Sequence, residues 1–164
     1  MTALDSNSRG GEKPSGSSAG LEVLRKISLF RFLSPQELKA VASHLSLSTY
    51  AAGEVIFHKD ELGTTLHIIA TGSVKIYLTS EGGEEAPLAV LKAGDYFGEL
   101  ALLDGDLRTA SAMALTRTAT LTLERDEFLR FITANPQSMV AVIRALAALV
   151  RRQNTQLYSD FFKA

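Results

Sequence analysis

The sequence predicts a mainly β fold, a barrel or jelly roll of short antiparallel strands with helices at both ends. Three observations carry this. From Leu47 to Glu124 apolar residues recur with a period of two, as in Val55/Phe57, Leu66/Ile68, Val74/Ile76/Leu78 and Leu121/Leu123. Gly53, Gly63, Gly72, Gly82-Gly83 and Gly94 fall between those runs, where turns belong. Helix-start signatures flank the series at Ser34-Pro35-Gln36-Glu37 and at Asn135-Pro136.

In chain order, residues 1–20 are rich in Ser and Gly and nearly devoid of large apolar groups. They bury too little to offset their ordering entropy, which predicts a flexible tail. Order is expected to begin near Leu21. Ser34 as N-cap, Pro35 in the first turn and Glu37 in a capping box predict a helix to about His44, burying Leu38, Val41 and Leu45. Residues 21–133 then form one domain, N-terminal helices followed by the strand series. Within the strands, Gly98 to Leu103 reads GELALL, a patch of helix formers that predicts a short helix beginning at Gly98. Residues 134–160 are a long C-terminal helix, with Asn135 as N-cap and Pro136 in its first turn. Ile143, Leu146, Val150, Gln153 and Leu157 alternate at spacings of three and four, a coiled-coil-like stripe with one polar member.

The bulk numbers exclude several functions. The chain has 164 residues, no cysteine and a net charge of −1. Disulfides, Cys-ligated zinc and thiol catalysis are therefore excluded. The basic footprint of a nucleic-acid binder is missing, so no DNA binding by this chain is expected. The longest apolar stretch, Met139 to Val150, is broken by Arg144 and is too short to span a bilayer. A cytoplasmic location is the expectation. His44, His58 and His67 make no ligand cluster, so no metal is expected. Asp104 and Asp106 flank Gly105 as a turn would. Arg151 and Arg152 are expected to complement a helix end.

The informative stretch is Gly94 to Ala112, GDYFGELALLDGDLRTASA. Gly98 lets the backbone approach an anion closely, and free amides at a helix start favour one there. Arg108, across the Asp104-Gly105 turn, can return to pair with a phosphate oxygen. Glu99 suits a phosphate site only if it accepts from a neighbouring hydroxyl such as a ribose 2′-OH. Together these groups fit a cyclic phosphate fused to ribose better than free phosphate.

FGELALL, four residues and then RTA resembles the phosphate-binding cassette of the cyclic-nucleotide-binding domain family. That family includes the bacterial cyclic AMP receptor protein, kinase regulatory subunits and nucleotide-gated channels. The resemblance covers roughly Leu21 to Tyr158, taking in LHII at Leu66, TGSVKIY, LKAGDYFGE and Asn135-Pro136. It implies an antiparallel β-roll (double-stranded β-helix) of the cyclic-nucleotide-binding type, with no catalytic residue, no cofactor, and cAMP or cGMP as ligand. Glu99 is then expected to bind the ribose 2′-hydroxyl and Arg108 the exocyclic phosphate oxygens. Gly98, Leu100 and Ala101, with Thr109 and Ala110, complete the cradle, and Gln153 and Asn154 stand where base contacts are often made. Two positions depart from the family pattern: Leu107 replaces the common proline before the arginine, and Asp60 replaces a common turn glycine.

The function implied is a regulatory sensor that couples cyclic-nucleotide binding to movement of the C-terminal helix, as a lid or in a homodimer, toward a protein partner not identified by sequence. Two alternatives stay open. One is a ligand-sensing fragment of a cyclic AMP receptor-type transcription regulator without its helix-turn-helix domain. The other is a degenerate member that binds nothing and acts as an interaction domain. A cyclic phosphodiesterase is disfavoured because the cassette offers neither metal nor water-activating base.

Overall fold

The computed structural model describes residues 18–162. Residues 1–17 of the predicted 1–20 tail lie outside the described residues, and the last three of that tail open the first helix. Helix α1 spans Ser18–Arg25, a 3₁₀ turn Ser28–Phe30, and α2 Pro35–Ala42. The strands are β1 (Ser46–Tyr50), β2 (Val55–Phe57), β3 (Thr65–Thr71), β4 (Ser73–Thr79), β5 (Glu85–Lys92), β6 (Tyr96–Phe97), β7 (Ser111–Ala114) and β8 (Thr118–Glu124). Helix α3 (Ala101–Asp104) interrupts them between β6 and β7, and α4 (Arg125–Ala134) and α5 (Pro136–Phe162) follow.

The strands form two antiparallel four-stranded sheets, ordered β1-β8-β3-β6 and β2-β7-β4-β5. The chain crosses repeatedly between them, which is a roll. Gly53, Gly72, Gly83 and Gly94 all take left-handed φ, so the predicted turn positions are confirmed where a side chain would be strained.

Strand β3 shows how the roll is layered. Leu66, His67, Ile68 and Ile69 are all buried, so both faces of the strand are covered. Leu66 and Ile68, paired across to Leu123 and Leu121, join the larger core with Phe30, Leu38, Phe128 and Val142 from the helices. Ile69 faces the other way, into a smaller cluster with Val74, Phe97 and Ala112. Most of the apolar core thus lies between one sheet and the helices. The smaller cluster lies between the two sheets, where small groups such as Ala112 are buried beside Ile69, Val74 and Phe97.

The capping box at α2 forms as predicted: Glu37 N–H donates to Ser34 Oγ at 3.2 Å, and Ser34 N–H donates to Glu37 Oε1 at 3.1 Å. The helix stops at Ala42, short of His44, but Leu38, Val41 and Leu45 are buried as expected. Helix α4 was not foreseen. Phe128 and Ile132, one turn apart, are its buried face, and Asp126 and Glu127 complement its N-terminus. Asn135 stands before Pro136 at the N-cap position expected for α5, its carbonyl accepting from Met139 N–H at 3.1 Å, while its side-chain amide nitrogen donates back to Phe131 O at 2.8 Å and closes α4. Ser138 in the first turn of α5 donates to Glu37, which joins α5 to α2. Among the described residues, no helix is long and apolar enough to cross a membrane.

Candidate ligand-binding site

Two loops clasp each other at the mouth of the roll. Asp60 N–H donates to Arg108 O (2.9 Å), Arg108 N–H to Glu61 O (2.7 Å) and Gly63 N–H to Asp106 O (3.0 Å). Asp60 adopts φ +71°, the left-handed region that a glycine takes freely and an aspartate tolerates. The Asp60 departure therefore preserves the turn. The Leu107 departure is also used, since its N–H, which proline lacks, donates to Asp106 Oδ1 at 2.7 Å. Asp104 and Asp106 behave as turn residues, with Asp106 N–H donating to Asp104 Oδ1 and Gly105 left-handed.

The clasp fixes the backbone of Arg108 and aims its side chain inward. The guanidinium lies 4.1 Å over the Phe57 ring and donates through Nη2 to Thr65 O at 2.8 Å. Two glycines make its channel. A Cβ at Gly63 would stand 2.5 Å from Nε, and one at Gly98 would stand 2.5 Å from Nη1. Burial pulls the Arg108 pKa down, with Glu124 and Glu61 acting in the opposite sense. Neither carboxylate reaches ion-pair distance of it among the described residues. The result is a buried, charged group whose neighbours are a carbonyl and an aromatic face.

Behind it sits an aromatic floor. His67 stacks on Phe97 with centroids 4.9 Å apart and planes at 6°, and lies 6.0 Å from Phe57. Its Nδ1 is 3.3 Å from Thr120 Oγ1. Burial, aided by the Arg108 charge, pushes its pKa down to about 3. His67 is therefore a neutral packing residue, as its sequence context suggests.

The cassette helix begins at Ala101, three residues later than predicted. Gly98 has φ +82°, which turns the chain out of β6 and cannot start a helix. Ala101, Leu102 and Leu103 donate to the carbonyls of Gly98, Glu99 and Leu100 in a tight turn that leads into the helix. Glu99 is half-buried, and burial pushes its carboxyl up from the ordinary value. Tyr96, the Leu29 and Ser28 amides and the Arg152 charge pull the other way. Its Oε2 is buried without a hydrogen-bond partner. The Tyr96 hydroxyl also lies 3.3 Å from Ser28 N and 3.2 Å from Ser28 Oγ, in the 3₁₀ turn against which α5 packs.

A cavity of about 370 Å³ joins these groups. Gly98, Glu99, Leu100, Ala101, Arg108, Thr109 and Ala110 line it, together with Phe57, Ile76 and Phe97. Seven of the nine residues expected in the site are thus brought together. Gln153 and Asn154 are not; both are exposed on α5 and outside the lining. Sequence reasoning missed Phe57 and Ile76 as cavity walls, Gly63 as the arginine's channel, and Tyr96 and Arg152 as neighbours of Glu99. Arg151 and Arg152 do not complement a helix end, because α5 continues to Phe162. Among the described residues, no three His, Asp or Glu side chains gather to hold a metal.

The chain is similar to known proteins in sequence and in fold. The sequence profile of the cyclic nucleotide-binding domain matches residues 47–135. The chain is 38% identical over 125 residues to the Cyclic AMP receptor protein of Thermus thermophilus, covering 76% of this chain and 56% of that one. It is 41% identical over 112 residues to cGMP-dependent protein kinase, isozyme 1, of Drosophila melanogaster, covering 66% of this chain and 15% of the kinase. The crystal structure of the N-terminal domain of a transcriptional regulator from Streptomyces coelicolor superimposes with a TM-score of 0.76 at 32% identity, covering 82% of this chain and 94% of that one. With the roll, the cassette and the buried arginine all in place, this chain belongs to the cyclic nucleotide-binding domain family.

Proposed function

We propose that the chain is a cyclic-nucleotide sensor module that captures cAMP or cGMP, does no chemistry on it, and passes the event to α5. The observation that supports this most is Arg108. A buried cation without a carboxylate partner is unfavourable, and the phosphodiester of a cyclic nucleotide supplies the missing anion at the cavity it faces. The Glu99 Oε2, buried without a partner, suits a ribose 2′-hydroxyl donor. Phe57 and Ile76 offer apolar surface for the base, and Thr109 stands at the cavity with a hydroxyl for it. The two relatives name different nucleotides, one cyclic AMP and one cGMP, so the base preference is a matter for measurement.

Transmission has a physical route. Glu99 is within the influence of Arg152 on α5, and Tyr96 links the cassette strand to the 3₁₀ turn under α5. A ligand hydroxyl that engages Glu99 alters its balance with Arg152, and α5 shifts by as much as the two states differ in ligand affinity. The reading includes a cytoplasmic location and a response carried by α5 to a second copy or another protein.

Thermal unfolding with cAMP, cGMP and 5′-AMP tests it. Ligand at a hundredfold excess over its Kd stabilises by about 2.7 kcal/mol, a midpoint shift of about 5–10 °C for this size. The expected result is a shift with one cyclic nucleotide, absent with 5′-AMP and absent in Arg108→Gln. No shift with any of them overturns the sensor reading and favours a degenerate member of the family.

A further inference from the structure

Strand β6 has two residues, and they serve opposite sides of their sheet. Phe97 joins the small cluster with Ile69 and Val74 and lines the cavity. Tyr96, paired with Ile68 of β3, packs against the larger core on the helix side. Its hydroxyl reaches the 3₁₀ turn, 3.3 Å from Ser28 N and 3.2 Å from Ser28 Oγ. Gly98, at φ +82°, then turns the chain out of the strand. Glu99 comes back to Tyr96, whose hydroxyl donates to its carboxyl together with the Leu29 and Ser28 amides.

A phenol has one proton to give, and its neighbours here settle where it goes. Ser28 N–H can only donate, and it occupies one lone pair of the Tyr96 oxygen. Ser28 Oγ stands within reach as a second donor. The carboxylate can only accept, and bonds to an ionised acceptor are the stronger ones. The phenol proton therefore goes to Glu99, and a chain of donors runs from Ser28 through Tyr96 to the carboxyl. Those donors still leave Oε2 buried with no partner. Such an oxygen costs free energy until a donor arrives, and Glu99 lines the cavity from which a ligand hydroxyl can supply one.

We infer that Tyr96 is a positioning residue for sugar selection: its hydroxyl holds Glu99 so that the site prefers ribose to 2′-deoxyribose. This role rests on the sensor reading, with Glu99 as acceptor of the 2′-hydroxyl, and adds the group that keeps the acceptor in place. Tyr96 is outside the cavity lining and acts through Glu99. Without the phenol proton the carboxyl loses a fixed side-chain donor and is free to turn. A 2′-hydroxyl then gains less by meeting it. The phosphate end, where Arg108 is held by Thr65 O and Phe57, keeps its own contacts. The loss is therefore confined to the share of binding that the 2′-hydroxyl contributes.

Tyr96→Phe keeps the ring in the core and removes one oxygen. Calorimetric titration of the full chain with cAMP and 2′-deoxy-cAMP, and with the corresponding cGMP pair, gives the ribose preference as a ratio of Kd values. The preference is expected to fall about tenfold in Tyr96→Phe, the size of one lost hydrogen bond to a charged group. Nearly all of that change should come from weaker binding of the ribose form. In Glu99→Ala the preference is expected to vanish, and adding Tyr96→Phe to it should change the ratio no further. Ser28→Ala, which takes one donor from the Tyr96 oxygen, should narrow the preference by less, and it carries the test where Tyr96→Phe does not fold. The inference is overturned if Tyr96→Phe, or Ser28→Ala in its place, keeps the parent ratio. Equal weakening of both forms overturns it too, since that is what a merely structural role produces. A parent that binds neither form refutes the sensor reading and this inference with it; a parent that binds, with a ratio that Tyr96→Phe leaves unmoved, refutes this inference alone.

Discussion

Gly63→Ala is expected to abolish tight cyclic-nucleotide binding without altering any group that touches the ligand. The added Cβ would stand 2.5 Å from Nε, 2.7 Å from Cδ and 2.8 Å from Cζ of Arg108. These atoms are the shaft of the side chain, so rotation of the tip relieves nothing and the whole side chain must leave its channel. Gly63 has no left-handed φ, so alanine adds no backbone strain and the effect is contact alone. Displacement forfeits the 2.8 Å bond to Thr65 O and the face of Phe57. More importantly, it forfeits the charge-assisted contact to the ligand, worth about 1.5–3 kcal/mol. That corresponds to an affinity loss of roughly 10- to 100-fold. Titration of a fluorescent cyclic nucleotide by polarisation reads it. The decisive comparison is the double variant with Arg108→Ala, in which the collision partner is gone: it should bind no more weakly than Arg108→Ala alone. Parent-like affinity in Gly63→Ala, or losses that multiply in the double variant, would refute the reasoning.

Gly98→Ala meets backbone as well as side chain, since its Cβ would lie 2.7 Å from Thr65 O at φ +82°; a loss above about 2 kcal/mol in urea denaturation is expected. Asp60, at φ +71°, should accept glycine nearly neutrally, whereas Asp60→Val should destabilise by about 1–2 kcal/mol, read as a lower Tm. His67 makes stability depend on pH. Its folded pKa of about 3 lies below the ordinary 6.5, so the unfolded chain takes up the proton first. Its contribution is whole above pH 6.5 and falls steadily as pH drops toward 3. About 2 kcal/mol should be gone at pH 5, and His67→Phe should flatten that slope in denaturant titrations at pH 7.5 and 5.

The aromatic floor and the arginine channel show where sequence reading stops. A period of two announces strands, but it does not say that β3 is covered on both sides, because the covering helices arrive from distant parts of the chain. Helix α4 carries a weak sequence signal, since its ten residues fall between two strong ones and its buried pair, Phe128 and Ile132, spans only one turn. The start of α3 was misplaced by three residues: GELALL has helix-forming side chains, yet the left-handed Gly98 belongs to the turn before the helix.

The sequence by itself determined the strand series, its turn glycines and the α2 capping box, which rest on local backbone preference and contiguous spacing, while the cassette residues follow from the resemblance to a known family. Only the tertiary structure decided what surrounds them. It placed Phe57 beneath Arg108, stacked His67 on Phe97, brought Gly63 from the clasping loop to the arginine's side, and left Asn154 outside the cavity lining. The reason is physical: local sequence fixes which groups a segment offers, but the sheet register and the rotation of α5 on the core fix which of them meet.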